Sequence, residues 1–131
     1  MERPLRLGDL QVAILRVLWD EGEATVARVH EGLSGKHRAL TTIATMLSKM
    51  ERRGIVEHRV EGRQFVFRPR ISEQEVLRSM VADLTEKLFE GDVTALVSHL
   101  LTEQEIDRDE LVRLRRMIVE KERKEAHHDD R

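Results

Sequence analysis

Apolar residues recur at helical spacing near the start of the chain, alternate in its middle, and return to helical spacing further on. Leu10, Ile14, Val17 and Leu18 share one helical face, with Asp9 placed to cap the start and Gly22 to close it. A second, shorter helix is predicted from a Thr25 cap, with Val26, Val29 and Leu33 as its buried stripe and Ser34-Gly35 as its end. The third runs over residues 40–53, with Ile43, Met46, Leu47 and Met50 facing inward and Gly54 as the stop.

There the period changes. Ile55-Val56-Glu57-His58-Arg59-Val60 and Gln64-Phe65-Val66-Phe67-Arg68 read as strands joined by a tight Glu61-Gly62-Arg63 turn, and Pro69 ends the second. Ser72-Glu73-Gln74-Glu75 then matches a capping box. The helix it opens carries Leu77, Met80, Val81, Leu84 and Leu88 and stops at Gly91. A short apolar helix over residues 93–101 holds Leu96, Val97 and Leu100. Asp107-Arg108-Asp109-Glu110 caps a last one bearing Leu111, Leu114 and Ile118, and the charged tail, 123–131, is expected to fray.

The predicted fold is therefore mainly α with a small β-hairpin. A winged helix-turn-helix occupies residues 1–71, and a three-helix domain with a charged tail occupies 72–131. No repeat or low-complexity linker separates the two.

The absence of Cys excludes disulfides, thiolate chemistry and Cys-based metal sites. No apolar run is long enough for a bilayer span and no signal-peptide pattern opens the chain, so a cytoplasmic location without membrane insertion is expected. The formal net charge of −2 hides an asymmetry. Residues 1–71 hold 13 Lys/Arg against 9 Asp/Glu, whereas 72–131 hold 10 against 16. Within 36–70 the ratio is 9 to 3, the local excess a polyanion site requires.

That excess falls around the third helix. With Ile43 at 0° and about 100° per residue, Thr41, Thr45, Ser48 and Arg52 lie at about 160°, 200°, 140° and 180°, opposite the apolar face, with Thr42 and Lys49 at the edge. Short hydroxyls let a helix sit deep in a major groove, where Thr can donate, accept or offer its methyl to thymine. Lys49, Arg52 and Arg53 can reach the flanking phosphates. A merely solvated face would more often carry Glu, Lys or Gln than three Thr. The one acid in the segment is Glu51, off the stripe at about 80°. Arg63 at the hairpin tip, Arg59 and Arg68 on its strands, and Lys36, His37 and Arg38 ahead of the helix are further phosphate candidates. The alternative is a winged-helix protein-interaction module without sequence-specific DNA binding; it would present an apolar patch, which this outer face lacks.

The last three helices are too short a segment for a comfortable monomeric core. Pairing with a second copy would bury Leu84, Leu88, Leu96, Val97, Leu100, Leu111, Leu114 and Ile118, and a two-fold dimer implies a pseudo-palindromic target.

The chain resembles the penicillinase-repressor family, the BlaI/MecI/CopY group. The resemblance rests on Leu7-Gly8-Asp9-Leu10 leading to Leu18-Trp19, on Thr25-Val26-Ala27-Arg28-Val29, and on Leu40-Thr41-Thr42-Ile43-Ala44-Thr45-Met46-Leu47. It continues through Lys49-Met50-Glu51-Arg52-Arg53-Gly54 and the hairpin to Phe65, and through Leu88-Phe89-Glu90-Gly91 and Leu96-Val97 to Leu111 and Leu114. It implies a dimeric transcriptional repressor that covers an operator in double-stranded DNA. In antibiotic-responsive members a membrane sensor-protease system triggers cleavage within the dimerisation domain; the matching bond here is His99-Leu100, where staphylococcal relatives have Asn-Phe. The Cys-rich motifs of the copper-responsive branch are missing.

No metal or cofactor is called for. His127-His128-Asp129-Asp130 reads as a solvated terminus, and His30, His37, His58 and His99 lack ligand spacing. Trp19 reads as a packing residue. No phosphate loop or nucleophile-base arrangement suggests an enzyme.

Overall fold

The computed structural model describes residues 5–33 and 38–129; the expected Ser34-Gly35 helix end, Lys36, His37 and Asp130 lie outside them. The elements follow the order α1 (Asp9–Glu21), β1 (Ala24–Thr25), α2 (Val26–Gly32), α3 (Leu40–Arg52), β2 (Val56–Glu61), β3 (Gln64–Pro69), α4 (Glu73–Phe89), α5 (Val93–Glu103) and α6 (Arg108–Asp129). Compactness divides the chain into Met1–Leu84 and Thr85–Arg131. The division falls within α4, whereas the sequence boundary at 71/72 marks only where that helix begins.

In the first unit α1 is the central helix. Ile14, Leu15 and Leu18 are fully buried with Val29 of α2, Ile43, Leu47 and Met50 of α3 and Val56 of β2. Each such side chain contributes roughly 1.5–3 kcal/mol of transfer free energy. Leu15 was not on the predicted stripe; α1 is covered over a wider arc than one helix face because helices and sheet surround it. Val17, in turn, is only partly buried. The helix cap also differs from expectation. Gly8, in extended conformation, precedes the helix, and its N–H donates to Gln11 Oε1 at 3.0 Å. Asp9 is instead in the first turn, where its carboxylate meets the positive end of the helix dipole. Thr25 caps α2 as predicted, accepting from Arg28 N–H at 3.1 Å.

The hairpin belongs to a three-stranded antiparallel sheet of order β1-β3-β2. β1 pairs Ala24 with Phe67 and Thr25 with Val66, and β2 pairs with β3 from Val56↔Pro69 to Glu61↔Gln64. On one sheet face Ala24, Val56 and Phe67 are buried in the core. The two-residue connection Gly62-Arg63 has glycine first at φ +63°, the II′ pattern that matches strand twist.

α4 opens on the predicted capping box: Ser72 Oγ accepts from Glu75 N–H at 3.0 Å, and Ser72 N–H donates to Glu75 Oε1 at 3.3 Å. Its first turns pack on the winged unit. Val76 is buried, Met80 touches the core, and Leu5 N–H donates to Ser79 Oγ at 2.9 Å. Trp19 has the packing role read from sequence, its Nε1–H donating to the Ile71 carbonyl at 2.8 Å.

In the second unit Asp92 and Asp107 cap α5 and α6, accepting from Ala95 N–H at 3.0 Å and Glu110 N–H at 2.8 Å. None of its described residues is buried in the single chain. The expected frayed tail is a correction: α6 continues to Asp129. Glu, Lys, Arg and Ala are strong helix formers, and a Lys121–Glu125 pair at 3.1 Å supports the extension at i,i+4 spacing.

Candidate nucleic-acid interface

Burial of Ile43, Leu47 and Met50 fixes the rotation of α3 about its axis. The opposite face then presents Thr41, Thr42, Thr45, Ser48, Lys49 and Arg52, all exposed. The helix is 13 residues long, about 20 Å at 1.5 Å per residue, enough to lie along a groove. Its end is held by a Schellman motif: Ile55 N–H donates to the Met50 carbonyl at 2.9 Å and Gly54 N–H to the Glu51 carbonyl at 2.9 Å, with Gly54 at φ +77°. Gln11 sets the helix against α1, its Nε2–H donating to Met46 Sδ at 3.4 Å while its Oε1 accepts from Arg53 Nη1 at 3.5 Å.

The basic side chains divide into two groups. Lys49, Arg52 and Arg63 have no acidic partner among the described residues. Arg59 and Arg68, expected to be available to phosphate, are engaged. Arg59 bridges Glu23 at 2.7 Å and Glu61 at 2.8 Å, and Arg68 pairs with Glu57. Hydrogen bonding to Glu23 above all, and then Glu61, raises the Arg59 pKa, and the Arg59 hydrogen bond in turn holds the Glu23 carboxyl below the usual carboxylate range. The physical reason is register: β1 lies beside β3, so Arg59 on β2 reaches across β3 to Glu23, and alternation places Glu57, Arg59 and Glu61 on the outer sheet face. Arg38 is exposed, and its carbonyl accepts from His30 Nε2 at 2.7 Å, linking α2 to the approach of α3.

Sequence reasoning missed one group. Glu51 and His58 meet, His58 Nδ1 lying 2.8 Å from Oε1 and 2.7 Å from Oε2. The His58 ring stacks on Phe65 with centroids 4.1 Å apart and planes 16° from parallel. The clue lay in register: His58 and Phe65 share the apolar side of the hairpin.

In the second unit Leu88, Val97, Leu100, Leu111, Leu114 and Ile118 are exposed in the single chain, from 37% at Leu114 to 70% at Leu88; Leu96 is half-covered. Leu84, the last residue of the first unit, is also exposed. His99 and Leu100 lie exposed within α5, with the His99 ring 5.9 Å from Phe89. Among the described residues no three His, Cys, Asp or Glu converge on a metal position, and no helix is long and apolar enough to cross a membrane.

Three helices, the third carrying an outward polar and basic face, followed by a hairpin, make this a winged helix-turn-helix protein. The chain belongs to the penicillinase repressor family, whose sequence profile matches residues 7–120. It is 24% identical over 121 residues to the penicillinase repressor of Bacillus licheniformis, covering 92% of this chain and 94% of that one. It is 31% identical over 125 residues to the transcriptional regulator BlaI of Mycobacterium tuberculosis, covering 93% and 89%. Among solved structures, the zinc-responsive MarR family member ZitR of Lactococcus lactis aligns at a TM-score of 0.45 and 18% identity over 93% of this chain and 79% of that one, too slight a likeness to bear on this chain. Membership places the chain among transcriptional repressors, not enzymes.

Proposed function

We propose that this repressor binds, as a homodimer, a pseudo-palindromic operator in double-stranded DNA. The observation that carries the reading is the acid-free, exposed stripe Thr41-Thr45-Ser48-Arg52 on a helix whose rotation the core fixes. Thr45 and Ser48 would meet base edges in the major groove, with Thr41 and Thr42 at the helix start. Lys49, Arg52 and the hairpin-tip Arg63 would meet phosphate, since no acid holds them among the described residues. The outer face of α3 carries no large apolar side chain, so a protein-docking role for it has less support.

Dimerisation is supported by a second unit with no buried residue among those described. So small a unit gains little stability alone, and Leu96, Val97, Leu100, Leu111, Leu114 and Ile118, with Leu84 and Leu88 of α4, are apolar area that a second copy would cover. Release by proteolysis at His99-Leu100, under a membrane sensor-protease, fits this reading: both residues are exposed, and the cut would divide α5. A protease needs extended chain, so cleavage requires α5 to unwind locally. A cytoplasmic site of action follows from the DNA target.

The experiment is a fluorescence-anisotropy titration against the DNA upstream of the repressor's own gene and against random duplex, at two salt concentrations. Tighter binding to the upstream DNA, weakening steeply with salt, supports the proposal; absence of salt-dependent binding contradicts it.

A further inference from the structure

The reading helix contains a single acid, Glu51, in a segment that on the reading above approaches a polyanion. Its carboxylate is taken up on both oxygens by His58 Nδ1, at 2.8 and 2.7 Å. An ionised carboxylate only accepts, so Nδ1 carries the proton. His58 is on β2, and its ring stacks on Phe65 of β3, two residue pairs nearer the hairpin tip than Phe67, which His58 faces directly across the ladder. The path from Glu51 through His58 to Phe65 therefore ends two residues from Arg63.

Support for the hairpin is uneven along its length. β1 pairs with β3 only at Val66 and Phe67, so beyond Val66 the hairpin is a two-stranded ribbon, which alone is marginally stable. Phe65 lies in that outer part and is 48% exposed. The stack on His58 is what extends anchorage past the last residue that β1 reaches. A stacked aromatic pair and a charge-assisted hydrogen bond are both directional contacts that fix orientation.

We propose that Glu51, His58 and Phe65 form a positioning strut that fixes the wing against the reading helix, so that Arg63 and the α3 stripe address one DNA site at a set spacing. The proposal rests on the DNA reading, and its test separates the two. His58→Phe keeps a ring and removes the donor; Phe65→Leu weakens the stack at a half-exposed position and serves if the first variant folds poorly. On upstream DNA each variant should bind about tenfold more weakly. In the native background Arg63→Ala should lower the salt slope by about one, and in either strut variant it should change the slope far less. Additive effects of Arg63→Ala and the strut variant would overturn the strut. Hydrogen exchange without DNA supplies an independent arm: amides of residues 59–65 should exchange faster in the variants, with those of α1 and α3 unchanged. Unaltered hairpin protection overturns the strut whether or not DNA binds. Failure of the unaltered protein to bind DNA, with faster hairpin exchange in the variants, would remove the DNA reading and leave the strut's mechanical part standing.

Discussion

What distinguishes the arginines of the wing is whether an acid already holds them. Arg63 at the tip has no acidic partner among the described residues, whereas Arg59 bridges Glu23 and Glu61 and Arg68 pairs with Glu57. Arg63→Ala should therefore weaken binding to upstream and random DNA alike and lower the salt slope by about one. Arg59→Ala should leave the slope nearly unchanged; an equal fall for both would show that the ion pairs open on DNA. The basic excess over 36–70 was legible from composition, but the pairing was not. Glu23 and Arg59 are 36 positions apart, and they meet only because a two-residue strand, too short to show alternation, adds itself to β3. The same holds for Glu51 and His58, whose encounter depends on how β2 leaves the end of α3.

At the scale of elements, the turn after α3 is where the path of the chain is most exacting. Gly54 sits at φ +77° with open space where a Cβ would stand, so the cost of a side chain there is conformational rather than steric. Gly54→Ala should lower stability by about 1–2 kcal/mol, read as an earlier denaturation midpoint with unchanged helical content. No loss would mean that the Schellman turn does not constrain α3. The long helices and the hairpin were legible because their apolar periods differ, and the caps at Thr25 and Ser72 because the side chains that accept the free N–H groups are chemically distinctive. Helix α4 was harder to read. Of its stripe of Leu77, Met80, Val81, Leu84 and Leu88, only Met80 packs against the core while the other four stay exposed, and Val76, off that stripe, is buried in the first unit. A helix that serves two surroundings has no single face for periodicity to find.

At the scale of the whole molecule, an unburied apolar second unit is the observation a dimer would explain. Leu114→Asp should give monomers in sedimentation and weaken operator binding by about a hundredfold or more, through loss of the linked second reading head. An unchanged sedimentation coefficient would contradict the assignment of this face. The central claim, that the α3 stripe reads sequence, has a more direct test. Thr45→Ala, Ser48→Ala and Arg52→Ala are each titrated by anisotropy against the upstream DNA and random duplex of the same length. The account predicts that Thr45→Ala and Ser48→Ala lose about 1–3 kcal/mol on the upstream DNA alone, while Arg52→Ala loses on both with a salt slope lower by about one. Equal losses on both duplexes for all three, or no loss at Thr45 and Ser48, would contradict it.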